Sequence, residues 1–266
     1  MCKRTTTDPL IRAFLDRYKL NLLMIPREGA AIGDLYVTQG PQVLPPVRVE
    51  DFLQPSVTLP PVRHEVLADL AGVASRKTSW DAGIRFLEGF LSALGAFALA
   101  ESVKAEYRRS GATQLAFRFT GLRRIFTDLS TVGQRLAGRR PHPDNPLRSP
   151  GSRYYMTTAV VQSASLSVRA EQADGRAPEI DVSLLRAAGV SGSVSVAQTG
   201  AAELKYEGKR RLAIGVELIE LLFDPSAGLR FAVPKTALRL RDDIPPPRAF
   251  LGGDESDAFF VVGETR

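Results

Sequence analysis

Two stretches alternate with a period of two residues, and they constrain the fold more than anything else in the chain. In "SRYYMTTAVVQSASLSVRA" (152–170), Ala164, Leu166 and Val168 alternate with Ser163, Ser165, Ser167 and Arg169. In "GVSGSVSVAQTGAAELKYEGKRRLAIGVELIELLF" (189–223), Val194 and Val196 alternate with Ser193, Ser195 and Ala197; Leu204 and Tyr206 follow, then Ile214, Val216 and Leu218. Such alternation places aliphatic side chains on one face of a strand and small or polar ones on the other. The pattern predicts an amphipathic sheet, with a turn at Gly208 between two of its strands.

An amphipathic sheet needs a cover, and the sequence supplies one. From about Thr78 to Arg109, Ile84, Leu87, Leu91 and Leu94 form an apolar stripe that Phe86, Phe90 and Phe97 widen, and the last turn is basic. This reads as one long helix, capped by Ser79, against which the sheet folds. "TQLAFRFTGL" (113–122) is a further strand. A first helix is expected within "TDPLIRAFLDRYKL" (7–20), short proline-interrupted strands over 20–59, a helix over 60–75, a further helix within "RIFTDLSTVGQRLAG", and a loop over 138–152. The class is α+β with antiparallel or mixed strands, and no fixed-period repeat points to a solenoid.

Chemistry is sparse. The chain has two histidines, His64 on the expected 60–75 helix and His142 in the proline-rich loop, and one cysteine. That inventory speaks against a structural metal site, and no nucleophile elbow, phosphate loop or dinucleotide fingerprint is complete, so no catalytic residue is expected and the chain does not read as an enzyme. The apolar run "GFLSALGAFALA" (89–100) is too short to cross a bilayer as a helix, and no secretory signal is recognised at the start. The alternating segments 154–169 and 192–206 do reach the roughly 9–11 residues that a transmembrane strand needs.

The charge balance is basic, +6 with an isoelectric point near 9.7. Basic pairs recur at Arg108–Arg109, Arg123–Arg124 and Arg139–Arg140, and as Lys209–Arg210–Arg211. A basic surface suits nucleic acid or anionic phospholipid. Aromatic residues do not interleave with these cations as single-strand binding requires, so no nucleic-acid partner is expected. A basic module that binds nucleic acid or anionic lipid without further action is the alternative reading.

The two ends carry the remaining signals. Cys2 precedes Lys3 and Arg4, a context suited to reversible acylation at a membrane surface. At the other end, Pro245, Pro246 and Pro247 lead into "RAFLGGDESDAFFVVGETR" (248–266). Phe250, Leu251, Phe259, Phe260, Val261 and Val262 make a sticky segment on an extended tether, which reads as a latch that docks on the body. The chain thus divides into a body over 1–237, a protease-sensitive connector over 238–249 and a C-terminal peptide over 250–266. Arg239, Arg241 and Arg248 suit a trypsin-like protease, and Asp242 or Asp243 a caspase-like one.

The run "GSVSVAQTGAAELKYEGKRRLAIGVELIEL" (192–221), the opening "DPLIRAFLDRYKLNLLMIPREG", the near-terminal cysteine and the short apolar tail together resemble the bacterial gasdermins. That resemblance implies a twisted central antiparallel sheet surrounded by helices, resting in the cytoplasm as an inactive monomer. It implies that a partner protease removes the C-terminal peptide. The freed body then oligomerises into pores in the inner membrane and kills the infected cell as antiphage defence. It further implies a palmitoyl group on Cys2 and no other cofactor. Membrane-spanning hairpins are expected from segments around 40–60 and 139–185.

Overall fold

The computed structural model describes residues 20–231, apart from 40–41, 76–79, 149–150, 173, 175, 182–193, 201 and 225–227. The expected first helix, Cys2 and the whole of 238–266 lie outside the described residues.

Two long strands dominate, because the two alternating stretches each continue far past the usual strand length of 5–6 residues or so. They are β11 (Arg153–Glu171) and β13 (Glu203–Asp224), paired antiparallel along most of their length. Three short strands flank β13 on its other side: β12 (Val194–Gly200), β1 (Asn21–Arg27) and β14 (Gly228–Phe231). Three more flank β11: β8 (Gln114–Thr120), β9 (Arg123–Phe126) and β2 (Asp34–Gln39). Outside those lie β7 (Leu70–Ser75) on β8, β6 (Arg63–Val66) on β9, and the two-residue strands β3 (Gln42–Val43) and β4 (Val47–Arg48) on β2. The result is one twelve-stranded antiparallel sheet; β5 (Leu53–Gln54) and β10 (Arg140–Pro141) pair separately.

Helices cover it. α1 (Val49–Phe52) is a single turn. α2 (Trp80–Ala93) and α3 (Phe97–Arg109) form a hairpin, and α4 (Leu129–Leu136) starts at Asp128, whose carboxylate accepts from the Thr131 N–H at 2.7 Å. The mixed α+β class with a large antiparallel sheet, read from the alternation, is what the structure contains.

Four local readings are corrected. The segment 60–75 is not a helix: it splits into β6 and β7, so His64 stands on an edge strand. Its Leu, Ala and Glu favour a helix weakly, and pairing with β9 and β8 outweighs that preference. The single helix over 78–109 breaks between Ala93 and Phe97, where Gly95 takes φ +81°, a left-handed conformation that ends α2. The helix expected from Arg124 onward begins only at Leu129, because β9 claims Arg123–Phe126 as a sheet neighbour of β11. Finally, Gly208 makes no turn; it lies inside β13, where its missing side chain makes room for Leu94 at the end of α2. The reversal between β12 and β13 falls instead near Ala202.

Candidate functional site

The two long strands, β11 and β13, and the helices that cover them carry the candidate site. At about 3.3 Å per residue each strand runs roughly 60–70 Å, well beyond the 9–11 residues or so of a tilted bilayer strand. Neither is a uniform ribbon. Its pairing slips between Thr157 and Ala159, between Val161 and Gln162, and between Ser163 and Ser165. The last slip sets one residue of β11 against Gly208, Lys209, Arg210 and Arg211 of β13.

These slips re-aim the side chains. Tyr154 and Met156 belong to a core with Leu35, Val37, Ile219 and Leu221, near α1 and α4. Val161, Leu166, Val168 and Ala170 belong to a second core under α2 and α3, with Leu204, Tyr206, Leu212 and Ile214. Tyr155 and Val160 face the other way, into a third core with Ala213, Val216 and Leu218. Serines 163, 165 and 167, expected on an open polar face, are also buried. The Ser163 hydroxyl donates to the Ser165 carbonyl at 2.8 Å, and the Ser165 N–H donates back at 3.0 Å, which pairs these backbone groups locally.

The cover over the second core is tight. Gly83 lets α2 approach until a Cβ there would strike Ala74 and Phe117. Phe86 meets Phe117 and Phe119 edge-on, with ring centroids 6.1 and 5.6 Å apart. Tyr107 of α3 is fully buried, and that burial holds its hydroxyl neutral far above the usual phenol range.

At the other end a polar network fixes β2. Arg27 donates to the Tyr36 hydroxyl oxygen at 2.6 Å; Arg48 bridges Asp34 at 3.1 Å and Glu50 at 2.9 Å. Burial pushes the Tyr36 phenol up from 10.0 to about 12, partly offset by the nearby Arg27 charge. The folded state thus favours neutral Tyr36. Its contribution to stability is complete below pH 10.0 and drains away as pH rises toward about 12. Alkaline titration followed by phenolate absorbance and circular dichroism should show Tyr36→Phe retaining more structure than the parent in that window.

A charged row crosses the sheet between the first two cores. Arg124 of β9 reaches Glu65 of β6 and Glu217 of β13, each at 2.8 Å, and its guanidinium lies 4.6 Å from the Phe126 ring centre. Partial burial alone would weaken the arginine's charge, but its bonds to Glu217 and Glu65 outweigh this and raise its pKa.

Most of the basic pairs are tied into the body. Arg108 pairs with Asp81, Arg109 with Glu106 and Arg210 with Glu28; Arg211 donates to the Gly121 carbonyl, and Arg139 to the carbonyls of Arg135 and Pro55. His142 lies half-exposed, 4.0 Å from Asp144. Among the described residues no cluster of His, Cys, Asp and Glu could hold a metal, and no helix is long and apolar enough to cross a membrane. The site residues named at the two ends of the chain (Cys2, Arg239, Arg241, Asp242, Asp243, Arg248, Phe250, Leu251, Phe259, Phe260, Val261 and Val262) all lie outside the described residues. The Glu65–Arg124–Glu217 row is hidden in the sequence because its members come from three strands. The faint signal is Glu217, one of two charges, with Glu220, inside the otherwise apolar run "IGVELIELL".

Comparison with known proteins gives the same fold a family. Residues 23–229 match the model of the Bacterial Gasdermin Family. The gasdermin bGSDM of Vitiosangium sp. (strain GDMCC 1.1324) is 26% identical over 222 residues, 81% of each chain. A solved bacterial gasdermin from Bradyrhizobium tropiciagri shares the fold with a TM-score of 0.60 at 15% identity, covering 87% of this chain and 93% of its own. A family match across most of the chain, on a twelve-stranded sheet with these covers, leads to one conclusion: the chain belongs to the bacterial gasdermin family and is a pore-forming, gasdermin-like protein.

Proposed function

We propose that this chain rests as an autoinhibited cytoplasmic monomer and becomes a homo-oligomeric pore in the inner membrane once a protease cuts the connector over 238–249. Loss of the peptide over 250–266 frees the body, and the pores kill the infected cell as antiphage defence. The observation that carries this reading is the extent of the family match. It ends at residue 229, so the proline tether and apolar tail stand outside the body that the family shares. The apolar faces of β11 and β13 are packed under α2 and α3, which suits a resting form whose membrane-competent strands are covered. The partners are then an activating protease, membrane lipids and further copies of the chain. The pore itself performs no catalysis.

The test is dye release from anionic liposomes. Intact protein should leave the vesicles sealed, and protein cut within the connector should empty them. Binding to vesicles without release, before and after cutting, would overturn pore formation and favour the simple lipid-binding alternative.

A palmitoyl group on Cys2 completes the proposal. A C16 chain contributes up to about 0.8 kcal/mol per buried CH₂, enough to hold the N-terminal segment at a bilayer when basic residues assist. Intact mass should show a palmitoyl-sized increment that Cys2→Ala loses, with leakage after cutting reduced and the thermal midpoint little changed. Unmodified wild-type protein with full leakage would remove the lipid from the mechanism.

A further inference from the structure

The Glu65–Arg124–Glu217 row lies where two hydrophobic cores on one sheet face fail to meet. Alternation makes this visible strand by strand. On β13, Ile214 belongs to the core under α2 and α3, Ile219 belongs to the core near α1 and α4, and Glu217 stands between them. On the β8–β9 side, Leu122 ends the first core and Arg124 follows two residues later on the same face. Leu67 packs against that same core, its N–H donating to the Leu122 carbonyl, and Glu65 lies two residues before it. Three strands therefore switch from apolar to charged at one level.

The backbone is irregular at this level too. β11 loses register between Thr157 and Ala159 and again between Val161 and Gln162, and Arg124 is paired with Val161 itself. β1 loses register against β13 between Leu22 and Arg27, beside Gly215, where Leu20 fills the space of the missing side chain. On this face apolar packing binds each half to its own helices and one guanidinium bridges the row, while on the opposite face the third core, with Val160, Val216, Leu218 and Ile125, runs unbroken behind it.

We propose that this row is an opening seam. On this face the α2–α3 half, with β7 and β8, and the α1–α4 half, with β2, hinge apart along it about the continuous strands β11 and β13, and Arg124 is the clasp that restrains the opening. β6 and β9 carry two of the three charged groups and hold the outer end of the row, so they loosen first. The seam stands on the geometry alone; its link to membrane activity rests on the pore-forming reading.

Hydrogen exchange on the full-length chain tests the two separately. In Arg124→Gln and in the milder Glu65→Gln, amides of 63–66 and 123–126 should exchange at least about tenfold faster than in the parent, while those of α2 and β8 keep their protection. After removal of the tail, both variants should release dye from liposomes several-fold faster than the cut parent. An even rise in exchange across both cores, or no change at 63–66 and 123–126, would overturn the seam. Faster local exchange with unchanged dye release would keep the seam and sever it from activation. Sealed vesicles with the cut parent as well would count against pore formation and leave the seam standing.

Discussion

A chain ending at Pro247 is expected to kill the cell that expresses it, with no protease present. The argument starts from side chains. Phe259, Phe260, Val261 and Val262 are large and apolar, and burying each one contributes on the order of 1.5–3 kcal/mol. In the proposed latch, about 25 residues join β14 to these side chains, a linkage that would supply a high effective concentration and let a weakly binding peptide stay docked. Replacing Phe259 and Phe260 by Asp removes two anchors and adds two charges that resist burial, a loss of several kcal/mol and so of at least about a hundredfold in docking. Full-length, truncated and Phe259→Asp/Phe260→Asp forms should therefore divide by viability after induction: the first tolerated, the other two lethal, with the lethal forms in the membrane fraction. A truncated form that is soluble, abundant and harmless would remove the latch and proteolytic activation with it.

For the proposed cleavage, side-chain chemistry narrows the choice of bond. Arg239 and Arg241 precede residues other than proline, as does Arg248, which favours a trypsin-like enzyme at any of the three; Asp242 and Asp243 offer a caspase-like one its acidic residue. Single replacement of each by Ala, followed by phage challenge or by digestion with the partner protease, would identify the bond.

How far the sequence can be read depends on how local each cause is. Alternation in 152–170 and 189–223 is a property of each strand by itself, so β11, β13 and the α+β class are legible in the residues alone. The helix cover is legible for the same reason, since Leu87, Leu91 and their neighbours repeat at helical spacing. What escapes is decided between elements. Residues 60–75 are strands because β8 and β9 offer free edges, a fact absent from the segment itself. Gly208 looks like a turn residue and is a packing residue, because Leu94 lies more than a hundred positions away. The serine face of β11 looks open and is closed, with Ser163, Ser165 and Ser167 all buried, a burial set by neighbouring elements and not by the strand's own pattern. The latch and the lipid site are read from composition at the two ends, and they remain proposals for the experiments above.

The packed aliphatic face of β11 decides what a charge there can test. Leu166 and Val168 stand on the aliphatic face that alternation turns toward the helix cover, so a charge there is felt in the resting protein before it is felt at a membrane. Both are completely buried, Leu166 between Phe119 of β8 and Tyr206 of β13 in the sheet register. Removing the leucine side chain alone costs about 2–5 kcal/mol in a packed core. A carboxylate in its place adds the cost of an unpaired buried charge, and the sum rivals the roughly 5–15 kcal/mol that holds a whole domain together. Leu166→Asp should accordingly appear as misfolded, insoluble protein, with no soluble resting form left to activate. Ala197→Asp is the informative contrast. Ala197 is exposed on β12 and lies opposite Lys205, so a carboxylate there should change stability by no more than about 0.5 kcal/mol. Thermal unfolding of the two variants should separate them cleanly, with Ala197→Asp near the parent and Leu166→Asp giving no cooperative transition. If cut Ala197→Asp then fails to empty liposomes, a position tolerant of charge at rest has become intolerant at the membrane, which places 192–206 against lipid; if it empties them fully, Ala197 does not face lipid in the pore. A soluble, cooperatively melting Leu166→Asp would instead show that the helix cover over β11 is looser than its packing indicates.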